Sequence, residues 1–342
     1  MNIKPKIAIL GGGAWGTTLG TLLAKKNYQV SVWEIIPEKC MKMQTEKKLE
    51  IFGGAETFTL EIPSTVKFYN DINKAVEGKN IIMLAVPSHC FLDTVQKLKN
   101  TKIDINKCIF LSVVKGIKTD SLKRMTQLLK DELKVKDKNI CVLSGPSFAI
   151  EVAKGYPTAV VAASTDSRTS KTIQNMFMTH NFRVYTHDDV IGVEIGGSLK
   201  NVIAIACGLS DNLQLGDNTK SALVTRGLRE MIMLGNKLGG KPHTFMGLAG
   251  LGDLITTCFS RHSRNRNFGE KIGMHINLNK ALNENITTTE GYRTAKSAYL
   301  LGKKYKIELP IINEIYTVIY KNKSPEKAVR DLMTRKPKSE EE

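Results

Sequence analysis

The chain has 342 residues, a length that predicts about two domains. Its composition, with 42% hydrophobic and 24% charged residues, is that of an ordinary globular protein and excludes a low-complexity chain. Fifty Lys and Arg against 33 Asp and Glu give a formal net charge of +17, which suits nucleic acids, membrane surfaces or anionic small molecules as partners. Many of the lysines are scattered over predicted helix faces, so a solvated surface is favoured and no nucleic-acid partner is expected.

Targeting and redox features predict a cytoplasmic protein. The sequence has no run of about 18 apolar residues, so no membrane span is predicted. The N-terminus MNIKPKIAIL reaches a strand-like run without a small-residue cleavage site, which argues against a signal peptide. The six cysteines show no CxxC spacing and mostly lie in apolar runs, as buried thiols in a reducing compartment do. Without an HxxxH pair or an HExxH motif, no metal site is expected.

The first half of the chain alternates short apolar runs with helix-length amphipathic segments. The runs that predict strands are 6–12, 29–33, 66–69, 80–87, 108–114, 140–145, 157–164 and 182–187. Segments such as 89–99 and 121–133 predict helices between them. Repeated strand–helix–strand order with continuously apolar strands predicts a mainly parallel sheet covered on both faces, a doubly wound α/β domain.

Strand patterns end near residue 190 and helical patterns follow. The segments with helical spacing are 190–211, 217–238, 289–302 and 310–320. We place a domain boundary at 188–190, where Asp188 or Asp189 can cap the next helix. The predicted division is 1–189, 190–335 and a charged tail, 336–342, which is expected to be disordered.

The stretch 6-KIAILGGGAWGTTLGTLLAKKNYQVSVWE-34 carries a dinucleotide-binding fingerprint. Gly11-x-Gly13-x-x-Gly16 follows a predicted strand and opens a predicted helix. Such glycines permit a tight turn, close approach of the backbone to a pyrophosphate and close packing of helix on strand, and the helix N-terminus faces the phosphates. Because strand, glycines, helix, second strand and terminal acid arrive in this order, we expect a bound dinucleotide rather than a purely structural glycine turn.

Glu34 ends the second predicted strand and bears on the choice of cofactor. A carboxylate there accepts hydrogen bonds from the adenosine ribose and repels a 2′-phosphate, which favours NAD over NADP. Two alternatives stay open. Lys39 in the following loop can hold a phosphate, which makes NADP the second cofactor, and Glu34 can be a surface residue that merely ends the strand.

Later stretches of the chain place polar residues among apolar ones. They are 113-VVKGI-117 with Lys115, 144-SGPSFAIE-151, Lys200-Asn201 within the apolar run 194–211, and 250–270 with Asp253. Each has a plain structural explanation alone, such as a solvent-facing lysine, a helix cap or a solvated basic helix start. Lys200 is the most informative, because burying an ammonium costs several kcal/mol unless it is paired or loses its proton.

Ordered stretches in both halves carry a resemblance to a known family. They are GGGAWGTTLG (11–20), AVPSHCF (85–91), SVVKGI (112–117), SGPSFAIEVAKGYPTAVV (144–161), EIGGSLKNVIAIACG (194–208), GLAGLGDLITTC (247–258), SRNRNFG (263–269) and TTTEGYRTA (287–295). The chain resembles the NAD(P)-dependent sn-glycerol-3-phosphate dehydrogenases, most nearly the bacterial type. The resemblance implies an N-terminal Rossmann domain, an all-α C-terminal domain like that of 6-phosphogluconate dehydrogenase, and a homodimer.

The resemblance also implies an activity and assigns residues to it. The activity is interconversion of dihydroxyacetone phosphate and sn-glycerol 3-phosphate with NAD(H), or NADP(H) as the alternative, which supplies glycerophospholipid synthesis. Lys200 matches the general acid/base, and its polar neighbours around the reacting carbon are Asn201, Lys115 and Asp253. The further substrate contacts are Gly145, Ser147, Ser263, Arg264 and Asn265, of which the last three match the segment that holds the phosphate. The cofactor contacts besides the glycines and Glu34 are Ala14, Trp15, Lys115, Ala149, Arg264 and Glu290.

The residue types suit this reaction, which puts a hydride on a carbonyl carbon and a proton on its oxygen. Arg264 offers a planar set of donors to a phosphate dianion. Lys115 and Lys200 place positive charge near an oxygen that becomes alkoxide-like. Burial and neighbouring cations lower a lysine pKa while a carboxylate raises it, so the net direction for Lys200 does not follow from the sequence.

Two other interpretations compete. A β-hydroxyacid dehydrogenase also pairs a Rossmann domain with a helical one and uses a helical lysine, but the Lys200-Asn201 adjacency and the Arg264-Asn265 segment argue against it. A non-catalytic nucleotide- or nucleic-acid-binding protein would use the +17 charge and needs no catalytic lysine. Because bacterial relatives often carry a basic or neutral residue where this chain has Glu34, the family's cofactor choice is not carried over. The role of Arg261 and His262 also stays open.

Overall fold

The computed structural model describes residues 4–54, 56–274 and 289–340. The strands in these ranges are β1 (Ile7–Leu10), β2 (Val30–Trp33), β3 (Lys48–Gly53), β4 (Glu56–Glu61), β5 (Lys67–Tyr69), β6 (Ile81–Leu84), β7 (Ile109–Ser112), β8 (Ile140–Ser144), β9 (Thr158–Ala163) and β10 (Phe182–His187). One sheet has eight strands in the order β10-β9-β8-β7-β6-β1-β2-β5, and β3 and β4 form a separate hairpin.

The large sheet confirms the eight strands expected from the sequence. Its neighbouring strands run parallel except for β8 and β9, which are antiparallel. Apolar clusters cover both faces: Ile9 and Leu19 belong to one, and Leu10 and Phe110 to the other. The carboxyl ends of β1, β2, β5, β6, β7 and β8 therefore share one edge, and open α/β sheets bind ligands at such an edge.

Helices surround this sheet and make up the second half of the chain. Those in the described ranges are α1 (Ala14–Lys25), α2 (Pro37–Glu46), α3 (Ile72–Val76), α4 (Phe91–Lys99), α5 (Met125–Leu133), α6 (Ala149–Ala153), α7 (Ser167–Phe177), α8 (Val190–Asn212), α9 (Gly216–Lys237), α10 (Pro242–Phe245), α11 (Asp253–Phe259), α12 (Arg264–Gly273), α13 (Glu290–Tyr305), α14 (Pro310–Lys321) and α15 (Pro325–Met333). The four helices expected after residue 190 are confirmed as α8, α9, α13 and α14.

The central helix of the second half is α8, which packs against α9, α11, α12 and α13. It has the length and hydropathy of a membrane-spanning helix, but 89% of its most apolar window is buried inside the protein, as in a core helix. Asp189 caps it by accepting a hydrogen bond from Gly192 N at 2.8 Å. Asp188 and Asp189 were both predicted as possible caps, and Asp189 is the one that caps α8.

Two local elements differ from expectation. The β3–β4 hairpin was not predicted, although Gly53 ends its first strand and Gly54 begins its turn. Helix α5 begins at Met125 and not at residue 121, because Leu122 has a left-handed φ of 58° and the preceding segment folds back on itself. Gln127 then accepts a hydrogen bond from Arg124 N at 2.9 Å and closes the helix start.

The charged tail 336–342 is described as far as residue 340. Arg226 Nη1 donates to the carbonyl oxygen of Glu340 at 2.9 Å, and Lys338 Nζ lies 3.8 Å from a carboxylate oxygen of Glu308. Residues 341–342 lie outside the described ranges. The disorder expected for this tail stays a prediction.

Candidate active site

The glycine loop joins β1 to α1 and leaves its far side open. Gly11 has a φ of 119°, and a Cβ there would lie 2.7 Å from a backbone oxygen just after β6. At Gly16 a Cβ would lie 2.3 Å from the carbonyl oxygen of Gly11, so only glycine allows this close packing of α1. Gly13 faces open space, and Ala14 and Trp15 are the first residues of α1. The loop therefore fits a pyrophosphate at a helix N-terminus.

Glu34 is a buried residue beside this loop, with 5% exposure, and not a surface residue. A Cβ on Gly12 would lie 2.8 Å from Glu34 Oε2. The same oxygen pairs with Lys39 Nζ at 2.7 Å, while Oε1 accepts from Ile36 N at 3.1 Å. The end of β2 therefore presents a carboxylate–ammonium pair beside the glycine loop.

A buried cluster brings together Lys115, Asp253 and Lys200 from three distant stretches. Asp253 Oδ2 pairs with Lys115 Nζ at 2.6 Å, and Asp253 Oδ1 pairs with Lys200 Nζ at 2.5 Å. Lys115 also donates to the carbonyl of Gly145 at 3.0 Å, and Lys200 donates to Thr257 Oγ1 at 2.6 Å. Asp253 is 1% exposed and Lys200 is 6% exposed. The lysine in the apolar helix thus has two partners for its ammonium.

The electrostatics of this cluster suit proton transfer to an oxygen. Burial lowers the pKa of Lys200 to about 8, with Asp253 raising it and Lys115 lowering it further. A lysine with this pKa can both give and accept a proton near neutral pH. Two ammonium groups against one carboxylate leave a net positive charge, which stabilises a developing oxyanion.

The turn between β8 and α6 borders the cluster. Gly145 has a φ of 140°, and its carbonyl accepts hydrogen bonds from both Lys115 and Ser147 Oγ, the latter at 2.9 Å. Ala149 is the first residue of α6. Ser144 Oγ is buried and, within the described part of the chain, has no hydrogen-bond partner. The turn therefore combines polar groups and a helix start at the edge of the sheet.

An amide chain links three helices next to Lys200. Asn265 Nδ2 donates to Asn201 Oδ1 at 2.9 Å, and Asn265 Oδ1 accepts from Gly291 N at 2.8 Å. Asn201 Nδ2 also lies 3.5 Å from the carbonyl oxygen of Gly197. Asn265 of α12 and Gly291 of α13 are thereby linked to α8, the helix that carries Lys200.

Arg264 and Glu290 are the first residues of α12 and α13. Arg264 reaches solvent, yet surrounding protein lowers its pKa from the usual value while Glu290 opposes that shift. Burial raises the pKa of Glu290, opposed by hydrogen bonds from Ser88. Ser88 N donates to Glu290 Oε1 at 2.8 Å, and Ser88 Oγ donates to Oε2. Ser263 is 1% exposed and caps α12 by accepting from Arg266 N at 3.2 Å.

Two residues at this site were missed from the sequence. Thr257 contacts Lys200 and also donates to the carbonyl of Asp253, four positions earlier on α11, a spacing that puts both residues on one helix face. Ser88 follows the carboxyl end of β6 in the matched stretch 85–91. Its place after a buried strand was the signal for it.

Other expectations concern cysteines, metals and the segment before Arg264. All six cysteines are unpaired thiols. Within the described ranges, no group of three or more His, Cys, Asp or Glu side chains could hold a metal. Thr287 and Thr288 of the matched stretch 287–295 lie outside the described residues. Arg261 and His262 lie against the β3–β4 hairpin.

Comparison with known families matches both halves of the chain. Residues 6–170 match the family described as the NAD-dependent glycerol-3-phosphate dehydrogenase N-terminus, and residues 189–330 match the one described as the NAD-dependent glycerol-3-phosphate dehydrogenase C-terminus. The N-terminal match includes Lys115, and the C-terminal match includes Lys200, Asp253 and Arg264.

Individual relatives agree with these family matches. The chain is 42% identical over 335 residues to a glycerol-3-phosphate dehydrogenase (NAD(P)+) of Fusobacterium nucleatum, covering 98% of each chain. It is 44% identical over 342 residues to one of Clostridium tetani, covering 99% of this chain and 95% of that one. A crystal structure of glycerol-3-phosphate dehydrogenase from Coxiella burnetii superimposes with a TM-score of 0.88 at 37% identity, covering 97% of this chain and 99% of that one.

Proposed function

The chain belongs to the NAD-dependent glycerol-3-phosphate dehydrogenase family, and from that premise we infer that it is an oxidoreductase interconverting dihydroxyacetone phosphate and sn-glycerol 3-phosphate. In the reducing direction it supplies sn-glycerol 3-phosphate for glycerophospholipid synthesis. The observation in the structure that supports this most is the buried Lys115–Asp253–Lys200 cluster. A ketone reductase needs a proton donor of this kind, and it needs nearby positive charge to stabilise the oxyanion that develops during hydride transfer.

The cofactor would lie along the carboxyl edge of the sheet. We propose that the open loop at Gly13 and the start of α1 hold its pyrophosphate, and that Glu34 accepts hydrogen bonds from the adenosine ribose. The resemblance supports further contacts from Lys115, Ala149, Arg264 and Glu290. A bound nicotinamide dinucleotide supplies the hydride. Because the Glu34 side chain lies beside the glycine loop and would repel a 2′-phosphate, we propose NAD(H) as the preferred cofactor, with NADP(H) as the weaker one.

Lys200 is the proposed general acid in the reduction. Its ammonium gives a proton to the carbonyl oxygen as that oxygen gains negative charge, and the neutral amine takes the proton back in the oxidation. Asp253 holds the Lys200 and Lys115 ammoniums on its two oxygens and keeps them in place. Lys115 adds positive charge beside the same oxygen, which stabilises the alkoxide-like transition state.

Arg264 is the proposed main ligand of the substrate phosphate, because a guanidinium donates two parallel hydrogen bonds to phosphate oxygens. Ser263 and Asn265 are buried residues on either side of Arg264, and this position supports roles for them in the same subsite. Their hydrogen bonds to Arg266, Asn201 and Gly291 also hold that start in place. The turn at Gly145 and Ser147 is the proposed contact for the rest of the substrate.

Three finer features are proposals too. Family membership supports a cytoplasmic location and a homodimeric state. Light scattering of the purified protein measures its oligomeric state. The start of α8 at Val190, capped by Asp189, supports a division into a dinucleotide-binding domain of residues 1–189 and a helical catalytic domain of residues 190–335.

A two-substrate assay tests the proposed reaction. NAD reduction is measured with sn-glycerol 3-phosphate and, in parallel, with 3-hydroxyisobutyrate, the substrate type of a β-hydroxyacid dehydrogenase. We expect turnover only with glycerol 3-phosphate. Oxidation of 3-hydroxyisobutyrate without oxidation of glycerol 3-phosphate would overturn the proposed function.

A further inference from the structure

The β3–β4 hairpin of the first half reaches across to the segment that precedes Arg264. His262 Nδ1 lies 3.0 Å from the carbonyl oxygen of Gly53 at the hairpin tip. His262 Nε2 lies 3.9 Å from Glu56 Oε2, on the other strand of the hairpin. A carbonyl oxygen only accepts hydrogen bonds, so Nδ1 carries the hydrogen and donates it to Gly53. One imidazole therefore bridges the hairpin and the turn at residues 260–263.

The hairpin tip is shaped for this contact. A Cβ on Gly53 would lie 2.8 Å from His262 Nδ1 and 3.0 Å from a side-chain carbon of Ile150. Gly54 has a left-handed φ of 60°, and a Cβ there would lie 2.6 Å from the carbonyl oxygen of Arg261. Two adjacent glycines thus let the hairpin backbone touch the backbone and side chain of the 260–263 turn, which larger residues would prevent.

The turn in contact with the hairpin sets the start of α12. His262 N donates to Ser260 Oγ at 3.1 Å, and Asn267 Nδ2 donates to the carbonyl oxygen of Arg261 at 3.1 Å. Ser263, the residue after His262, caps the helix whose first residue is Arg264. A shift of His262 would therefore move the cap and, with it, the guanidinium of Arg264.

The same imidazole also contacts the turn that leads into α6. The Phe148 and His262 rings meet edge to face with centroids 5.8 Å apart, and Phe148 immediately precedes Ala149. Lys154, which follows α6, pairs with Glu56 of the hairpin. His262 is thus in contact with the hairpin and with the turn holding Ser147, while its own segment leads into Arg264.

We propose that His262 is a positioning residue for the substrate phosphate. By binding the tip of the β3–β4 hairpin, its side chain holds the 260–263 turn and so aims the Arg264 guanidinium at the phosphate of dihydroxyacetone phosphate. This inference rests on the proposed function and deepens it. His262 itself touches neither the Lys115–Asp253–Lys200 cluster nor the glycine loop in its hydrogen bonds and ring contacts, so it acts through Arg264.

The test is a comparison of kinetic constants for His262→Ala and His262→Asn. The alanine variant loses the donor to Gly53, and we expect its KM for dihydroxyacetone phosphate to rise about three- to tenfold, the range for one lost hydrogen bond. The kcat should stay within about twofold, because the proton-transfer cluster is untouched. The dissociation constant of NADH should change less than this KM, because the glycine loop is intact and Arg264 is only one of the proposed cofactor contacts. Asparagine places an amide N–H near the position of Nδ1, so His262→Asn should restore most of the KM.

A second variant tests the contact from the hairpin side. Gly53→Ala introduces a Cβ against His262 Nδ1, and it should raise the same KM without lowering kcat. Inorganic phosphate, used as a competitive inhibitor, should lose affinity in both the His262→Ala and Gly53→Ala variants. His180→Ala removes an exposed imidazole at another place in the chain and serves as the matched control. Its KM, kcat and phosphate affinity should equal those of the wild type.

Three outcomes would overturn the proposal. One is an unchanged KM in His262→Ala while the wild type reduces dihydroxyacetone phosphate. Another is a fall in kcat together with a lower melting temperature that asparagine does not restore, which would make His262 a general packing residue. A wild type without any turnover of dihydroxyacetone phosphate would overturn the proposed function itself, and the role of His262 with it.

Discussion

Lys200 lies in the interior of an apolar helix because other stretches of the chain compensate its burial there. Asp253 and Thr257 both accept its hydrogen bonds, and both lie on α11. Removing an ammonium from water costs several kcal/mol, and a carboxylate at 2.5 Å offsets much of that cost. The residual penalty is what lowers the pKa of Lys200 to about 8. The same burial that makes Lys200 costly for stability makes it suited to proton transfer.

Replacing Lys200 tests its proposed role directly. Lys200→Ala should lower kcat for dihydroxyacetone phosphate by about 10²–10⁴-fold, the usual contribution of a positioned proton donor. NADH binding, followed by fluorescence titration, should stay nearly unchanged because the glycine loop is intact. Lys67→Ala, at an exposed position on β5, is the control. Near-normal turnover of Lys200→Ala would show that another group transfers the proton.

The pH dependence of the two reaction directions should be opposite. Reduction needs Lys200 protonated, so with a pKa of about 8 its kcat/KM falls as pH rises through 8. Oxidation needs the neutral amine, so its kcat/KM rises over the same interval. Initial rates from about pH 6.5 to 9.5 in both directions measure this. Profiles that are flat near pH 8 would separate Lys200 from the proton-transfer step.

The Glu34–Lys39 pair predicts a cofactor switch. Glu34→Ser removes the carboxylate that repels a 2′-phosphate and frees Lys39 to bind it, so kcat/KM with NADPH should rise about tenfold or more relative to NADH. The double variant Glu34→Ser/Lys39→Ala should lose most of that gain. Kinetic constants with both cofactors check this. A NADH-to-NADPH ratio that stays constant in Glu34→Ser would exclude this pair as the selectivity determinant.

At the scale of elements, α8 joins the two halves of the molecule. Near its start, Glu194 is 4% exposed and accepts hydrogen bonds from Thr126 N at 2.9 Å and Thr126 Oγ1 at 2.6 Å. It also pairs with Arg124, the residue just before α5. A buried carboxylate therefore ties the start of α5, in the first half, to the helix that carries Lys200.

Removing this link should cost much of the stability of the protein. Glu194→Ala leaves Arg124 and the Thr126 backbone without their acceptor, and we expect a loss of about 3–5 kcal/mol in the free energy of unfolding. Asp131→Ala breaks the exposed Lys123–Asp131 pair and should cost no more than about 1 kcal/mol. Urea denaturation measures both. Equal losses for the two variants would contradict the structural role of Glu194.

Elements with local signals could be predicted from the sequence. The eight sheet strands and the helices after residue 190 follow from apolar periodicity, which each segment shows by itself. The β3–β4 hairpin gives a weaker signal, because its two strands are largely exposed and bury few apolar residues. Helix α5 starts later than its sequence pattern predicts, because a bridge between Ile117 and Arg124 takes the place of its expected first turn.

At the scale of the whole molecule, the site forms where separate stretches converge on one edge of the sheet. The sequence suggested Lys115, Lys200, Asp253 and Arg264 as members of one site through their residue types and through family resemblance. It did not contain the distances between them, and therefore not the bridging role of Asp253 or the lowered pKa of Lys200. Those properties arise only when α8, α11 and the end of β7 pack together.

The net charge of +17 affects how the whole molecule attracts its substrates. Both dihydroxyacetone phosphate and a dinucleotide are anions, and a positively charged protein attracts them at long range. In the cluster itself two ammoniums face one carboxylate, so the local charge has the same sign as that of the whole chain. Substrate capture should therefore weaken as ionic strength rises, because salt screens such attraction.

The function proposed for this protein is hydride transfer between a nicotinamide dinucleotide and dihydroxyacetone phosphate. Initial rates of dihydroxyacetone phosphate reduction, measured with NADH and NADPH side by side, test it most directly. We predict saturable, substrate-dependent oxidation of NADH, with a lower kcat/KM for NADPH. If neither cofactor is oxidised in a dihydroxyacetone phosphate-dependent way, the protein does not have this function.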